Sequence, residues 1–181
     1  MDSDAHYSVL FLCTRNATRG ILAEALMTLR GGPRFRAFSA GTQPARSISE
    51  PARDLLERLA IPTEGLRSKS WYEYAGPQAP QMDFIFTLCD KAISEKCPTW
   101  PGRPVTAFWS IPDPSKVEGT DIEKAAAYRS VFGMLERRIS LFLSLPLESI
   151  DRLSITHRLN AIAESEHGPS TAVLHPGERE I

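Results

Sequence analysis

The chain has 181 residues, with 21 basic and 22 acidic side chains, a formal net charge of −1, and 42% hydrophobic and 24% charged residues. That balance excludes a general nucleic-acid or anionic-membrane binder, both of which need an excess of Lys and Arg. No apolar run approaches the roughly 18 to 20 residues of a membrane helix. The polar start, with Asp2 and Asp4 and no basic region, is unlike a signal peptide, so a cytoplasmic protein is expected.

Three cysteines, Cys13, Cys89 and Cys97, are too few and the wrong parity for a secreted disulfide framework. Buried thiols, metal ligands and redox chemistry remain open for them. The length predicts one α/β domain over residues 7–164, between a flexible N-terminus at 1–6 and a mobile polar tail at 165–181.

Residues 7–13 (YSVLFLC) form a nearly continuous apolar run, the pattern of a strand buried on both faces. A polar segment follows, then a helical pattern over 21–29 with Leu22, Ala25, Leu26 and Leu29 at spacings of three and four. Gly31, Gly32 and Pro33 end it. Residues 34–40 alternate as a second strand and stop at Gly41. A second helix fits 50–59, with Ser49 as N-cap, Pro51 near its start and Leu55, Leu56 and Leu59 as its buried stripe. Residues 83–89 and 105–109 are the third and fourth strands. Residues 120–145 are the longest helix candidate, ended by Pro146, and 149–163 one more, carrying Leu153, Leu159 and Ile162. Strands alternating with helices predict a four-stranded parallel sheet covered on both sides, with ligands at the carboxyl ends of the strands.

That edge holds the first chemical signal, Cys13-Thr14-Arg15-Asn16-Ala17-Thr18-Arg19, a Cys-x5-Arg loop between a strand and a helix. Five residues curling into a helix N-terminus aim several N–H groups at one centre, where the helix dipole favours an anion. The same field is expected to lower the Cys13 pKa. Arg19 offers a planar fork to two oxygens of a tetrahedral oxyanion. The pattern also arises by chance around a core thiol and a solvated arginine; the strand–loop–helix setting favours the oxyanion site. Asp113, between two prolines after the fourth strand, is placed to act as a general acid, although Pro-Asp-Pro is also a good turn. Cys89 and Cys97 lie eight apart, with Cys89 on the same sheet edge as Cys13. Zinc is the rival reading, but there is no Cys-x2-Cys pair and His6 and His157 are poorly placed. A disulfide relay suits the two thiols better, and neither metal nor cofactor is expected.

With these residues in view the chain resembles the arsenate reductases built on the low-molecular-weight protein tyrosine phosphatase fold. The resemblance spans about residues 7–145. It rests on VLFLCTRN at 9–16, FSAG at 38–41, GLRSKSW at 65–71, FTLCD at 86–90, CPTWPG at 97–102 and FWSIPDP at 108–114. It implies that Cys13 attacks arsenate held by the loop and Arg19, with Asp113 protonating departing water. Cys89 would then attack Cys13, releasing arsenite, and Cys97 would take over Cys89. The final Cys89–Cys97 disulfide would be reduced by an external thiol such as thioredoxin. Phosphatases of this fold share the loop and the aspartate without needing the second and third cysteines. The alternatives are hydrolysis of phosphotyrosine or small phosphoesters, and a non-catalytic oxyanion-binding relative.

Several positions depart from the family pattern, whose loop usually reads Cys-Thr-Gly-Asn-Ser-x-Arg-Ser. Here Arg15 replaces the glycine, Ala17 the first serine and Gly20 the last. That last serine is expected to hydrogen-bond the thiolate, and Gly20 has no hydroxyl; Arg15 adds a charge that offsets part of the loss or crowds the cradle. Some relatives bind potassium beside the loop through Asn, Glu, Ser and Asp. Asn16, Glu24 and Ser39 match, but Lys69 stands at the Asp position. Its ammonium is expected to replace the cation, unless it is simply a surface residue. Trp71, Tyr72 and Tyr74 suggest packing more than a cleft wall.

Overall fold

The computed structural model describes residues 6–90, 92 and 97–165; the predicted tail at 165–181 and terminus at 1–6 therefore lie almost wholly outside the described residues. Four parallel strands, β1 (Tyr7–Cys13), β2 (Phe35–Gly41), β3 (Phe84–Thr87) and β4 (Val105–Phe108), form one sheet in the order β2-β1-β3-β4. Register pairs Cys13 with Gly41, Leu12 with Ala40 and Thr87, and Thr87 with Phe108, so the carboxyl ends of the strands lie level. The chain steps from β1 to β2 on one side and returns to β3 on the other. The order therefore reverses between β1 and β3, the crevice where such sheets bind ligands. Cys13 ends β1, and Cys89 lies two residues past the end of β3.

The unbroken apolar run of β1 has a direct cause: both of its faces are covered. Val9, Phe11 and Cys13 join Phe84, Phe86 and Val105 in the larger core, whereas Leu10 and Leu12 join Ile85, Ala40 and Trp71 in a second cluster. All four described helices, α1 (Arg19–Gly31), α2 (Glu50–Arg58), α3 (Asp121–Leu143) and α4 (Arg152–Glu164), feed the larger core. Among the described residues the other face is closed by a 3-10 turn at Trp71–Tyr74 with Met82 and Trp100, so coverage is more one-sided than the alternation of elements implies. Trp109 stacks on Phe86 at 4.0 Å between centroids, and its indole N–H donates to the Leu159 carbonyl at 3.1 Å, which fixes α4 to β4.

Thr120 caps α3 with a full capping box through Glu123, Ser49 caps α2 and Asp151 caps α4. Three leucines assigned to buried stripes are instead exposed: Leu29 at 51%, Leu59 at 46% and Leu153 at 66%. Leu59 lies past the end of α2, and α4 buries Ile155, Leu159 and Ile162, four and three apart, leaving Leu153 off that face. Trp71 and Tyr74 are packing residues, both buried, while Tyr72 is exposed. No described helix is long and apolar enough to cross a membrane.

Candidate active site

The loop from Cys13 to Arg19 is held from outside through its carbonyls. Those of Cys13, Thr14, Arg15 and Ala17 accept from the backbone N–H groups of Thr42, Gln43, Ala45 and Ser49, at 2.8 to 3.2 Å. With its carbonyls turned outward, the loop presents its N–H groups inward. Those of Gly20 and Asn16 point at the Cys13 sulfur. Asn16 takes φ 47°, a left-handed conformation that asparagine tolerates better than most residues. Gly41 makes the close approach possible, because a Cβ there would lie 2.5 Å from the Thr14 carbonyl oxygen. Ser68, which sequence reasoning did not single out, adds a hydroxyl bond to the Arg15 carbonyl at 3.0 Å. The Thr18 hydroxyl meets that of Ser49 at 2.7 Å instead of capping α1. Arg15 is exposed at the mouth and Ala17 half-buried.

Arg19 opens α1 and is steered by β4's continuation. One guanidinium nitrogen donates to the Ile111 carbonyl at 3.0 Å and the other lies 3.5 Å from Asp113 Oδ2. Asp113 caps a short 3-10 turn, accepting from the N–H and hydroxyl of Ser115. Partial burial pushes its carboxyl up, but the Ser115 bonds and then Arg19 outweigh this and hold it below the usual carboxylate range.

Cys13 departs from the expected direction. Burial dominates and pushes the thiol up, against the opposing pull of the Gly20 N–H, the Arg19 guanidinium and the Asn16 N–H. Gly20 contributes its backbone donor but no hydroxyl, which is one reason the pull falls short. A Cβ at Gly20 would meet Asn16 Nδ2 at 2.8 Å and Cys13 Sγ at 3.1 Å, so the Asn16 amide crowds the space a side chain would need. That Nδ2 is buried with no hydrogen-bond partner.

Cys89 is brought to the same place: it is buried, and its sulfur lies 3.3 Å from the Thr14 hydroxyl. Cys97 is exposed and receives the Trp100 indole N–H at 3.1 Å. All three thiols are free. Behind the loop, Lys69 is no surface residue. It is 4% exposed, and its ammonium reaches Glu24 Oε2 at 3.1 Å, the Arg67 carbonyl at 2.7 Å and Ser39 Oγ at 3.5 Å. The Ser39 hydroxyl also donates to Glu24, and the Lys69 backbone N–H holds Asn16 Oδ1 at 2.9 Å. Among the described residues no cluster of His, Cys, Asp and Glu is placed to hold a metal.

At the switch point of a parallel sheet the chain thus assembles a loop with inward N–H groups, a buried thiol and an arginine. The low molecular weight phosphotyrosine protein phosphatase family matches residues 8–153, and the chain belongs to that family. An arsenate reductase of Halalkalibacterium halodurans is 31% identical over 134 residues, covering 74% of this chain and 93% of that protein. The crystal structure of an arsenate reductase from Archaeoglobus fulgidus superposes with TM-score 0.59 at 24% identity, covering 76% of this chain and 99% of that one. A thioredoxin-dependent arsenate reductase of Corynebacterium glutamicum gives 0.54 at 20% identity, covering 77% and 65%.

Proposed function

We propose that this chain reduces arsenate to arsenite through thiolate attack and an intramolecular disulfide relay. The observation that carries the reading is the second thiol: Cys89 is buried beside the loop, 3.3 Å from the Thr14 hydroxyl. Phosphoester hydrolysis has no use for a sulfur there, whereas a relay requires one.

The inward N–H groups and Arg19 bind the oxyanion over Cys13. Because burial keeps Cys13 protonated, the proton that must reach the departing oxygen starts on sulfur. Asp113, ionised beside Arg19, takes that proton and returns it to the leaving oxygen as the Cys13–arsenic bond forms and water departs. Cys89 then attacks the Cys13 sulfur; the sulfur–arsenic bond breaks, its electron pair leaves with arsenic as arsenite, and a Cys13–Cys89 disulfide remains. Exchange with Cys97 moves the disulfide to Cys89–Cys97, where an external thiol reductant such as thioredoxin restores both thiols. A Cys89–Cys97 bridge requires a Cα separation of about 7 Å or less. Lys69 supplies the positive charge behind the loop, and the reaction needs no potassium.

Incubating reduced protein with arsenate, then mapping disulfides by mass spectrometry with para-nitrophenyl phosphate turnover in parallel, tests the reading. A Cys89–Cys97 bridge is expected. Ester hydrolysis without that bridge would make the chain a phosphatase, and neither product would leave an oxyanion-binding protein.

A further inference from the structure

Trp100 is engaged with a reacting sulfur in a way that neither the loop nor the relay scheme uses. Its indole N–H donates to Cys97 Sγ at 3.1 Å. The ring is half-buried against the second core cluster and meets Trp71 edge-to-face at 6.3 Å between centroids. Trp71 is 3% exposed and follows Ser70, which bridges to Gly41 beneath the anion loop. Pro98, between Cys97 and Trp100, and Pro101, directly after Trp100, restrict the backbone of the segment that carries the pair. The donor is therefore fixed to the framework that holds the active site, and Cys97 is the partner it fixes.

An N–H donor strengthens when its acceptor becomes an anion, so this contact stabilises the thiolate more than the thiol. The other indoles are committed elsewhere or buried away from sulfur: Trp109 donates to Leu159, and Trp71 has its N–H in the core.

We propose that Trp100 is a positioning residue for the relay, its indole N–H orienting Cys97 and favouring the thiolate that attacks Cys89. The role rests on the arsenate-reductase reading above. In that step the Cys97 sulfur bonds to Cys89, the Cys13–Cys89 bond breaks, and the electron pair leaves on Cys13. Cys13 takes up one proton from water, matching the one Cys97 lost, and the protein is neither oxidised nor reduced overall.

The test uses the full chain as Trp100→Phe, which keeps an aromatic ring against Trp71 and removes the donor, and as Trp100→Ala, which removes both. Iodoacetamide labelling of the reduced proteins, quantified peptide by peptide from pH 6 to 10, reads the Cys97 titration. In Trp100→Phe the Cys97 midpoint should move up, leaving about three- to tenfold less thiolate at pH 7, while the Cys13 and Cys89 profiles stay in place. After arsenate, Cys13–Cys89 should accumulate and Cys89–Cys97 form more slowly. The slowing should be the smaller effect, because a more basic thiolate is also more nucleophilic. An unchanged Cys97 profile in Trp100→Phe, or a faster second exchange, overturns the proposal. So does slowing confined to Trp100→Ala, which would make the ring a packing element only. If the wild type forms no bridge with arsenate, the reductase reading fails, while the labelling profile still decides whether the indole governs the Cys97 thiolate.

Discussion

Replacing Lys69 by methionine removes an ammonium while keeping an unbranched side chain of similar length. In the native protein all three donors of that ammonium are engaged, by Glu24, Ser39 and the Arg67 carbonyl, at a site 4% exposed. Losing one partner of a buried pair costs about 3 to 5 kcal/mol, because the other charge stays behind uncompensated. The lower end, about 3 kcal/mol, applies here, since Glu24 keeps the Ser39 hydroxyl and its side chain retains 13% exposure. At about 2 to 4 °C per kcal/mol for a chain of this size, Lys69→Met should melt about 6 to 12 °C below wild type. Removing both charges, as Lys69→Met with Glu24→Gln, should recover much of that loss. Asn16 is held by the Lys69 backbone N–H, not the ammonium, so the loop should survive and arsenate reduction should persist at temperatures below melting. Lys69→Asp, which adds a fourth oxygen-bearing side chain to Asn16, Glu24 and Ser39, should become faster in potassium than in sodium at equal ionic strength. The wild type should not distinguish the two salts. Differential scanning calorimetry and initial rates in the two salts measure these effects. A Lys69→Met melting point within about 2 °C of wild type, or potassium activation of the wild type, refutes the argument.

Further outcomes follow from the loop. Gly20→Ser should lower the Cys13 pKa through its hydroxyl, read by alkylation rate against pH. It should also cost about 1 to 3 kcal/mol in thermal unfolding, because its Cβ meets Asn16 Nδ2 at 2.8 Å. In the wild type, Cys13 alkylation should show a midpoint above that of an unperturbed thiol. A folded-state pKa above the unfolded one means a stability contribution that is present at neutral pH and lost as pH rises through the folded value, so Cys13→Ala should flatten the alkaline limb of the stability curve. Asp113 has the opposite sign. Its carboxyl is held low, so its contribution is present above the unfolded value and lost as pH falls through the folded one. Asp113→Asn should flatten the acid limb and slow arsenite formation by about 10²- to 10⁴-fold in single-turnover assays.

The amino-acid sequence by itself determined the alternation of elements, the strand–loop–helix setting of Cys13 and the placing of Cys89 on the same edge. These are local matters: a continuous apolar run, a cap, a helix period and the spacing from Cys to Arg. It misjudged Leu29, Leu59 and Leu153, because periodicity names a face but not where the neighbouring elements end. The tertiary structure alone decided the thiol's titration. The sequence showed the donors around Cys13, but only packing revealed burial as the larger effect. It alone decided whether Lys69 was a surface residue or a buried cation, since Glu24, Ser39 and Lys69 come from a helix, a strand and a loop far apart in the chain. The indole beside Cys97 is short-range in sequence, yet its anchoring on Trp71 is not. Charge and proton position depend on what surrounds a group in three dimensions, and sequence spacing carries that information only within a helical turn or a strand.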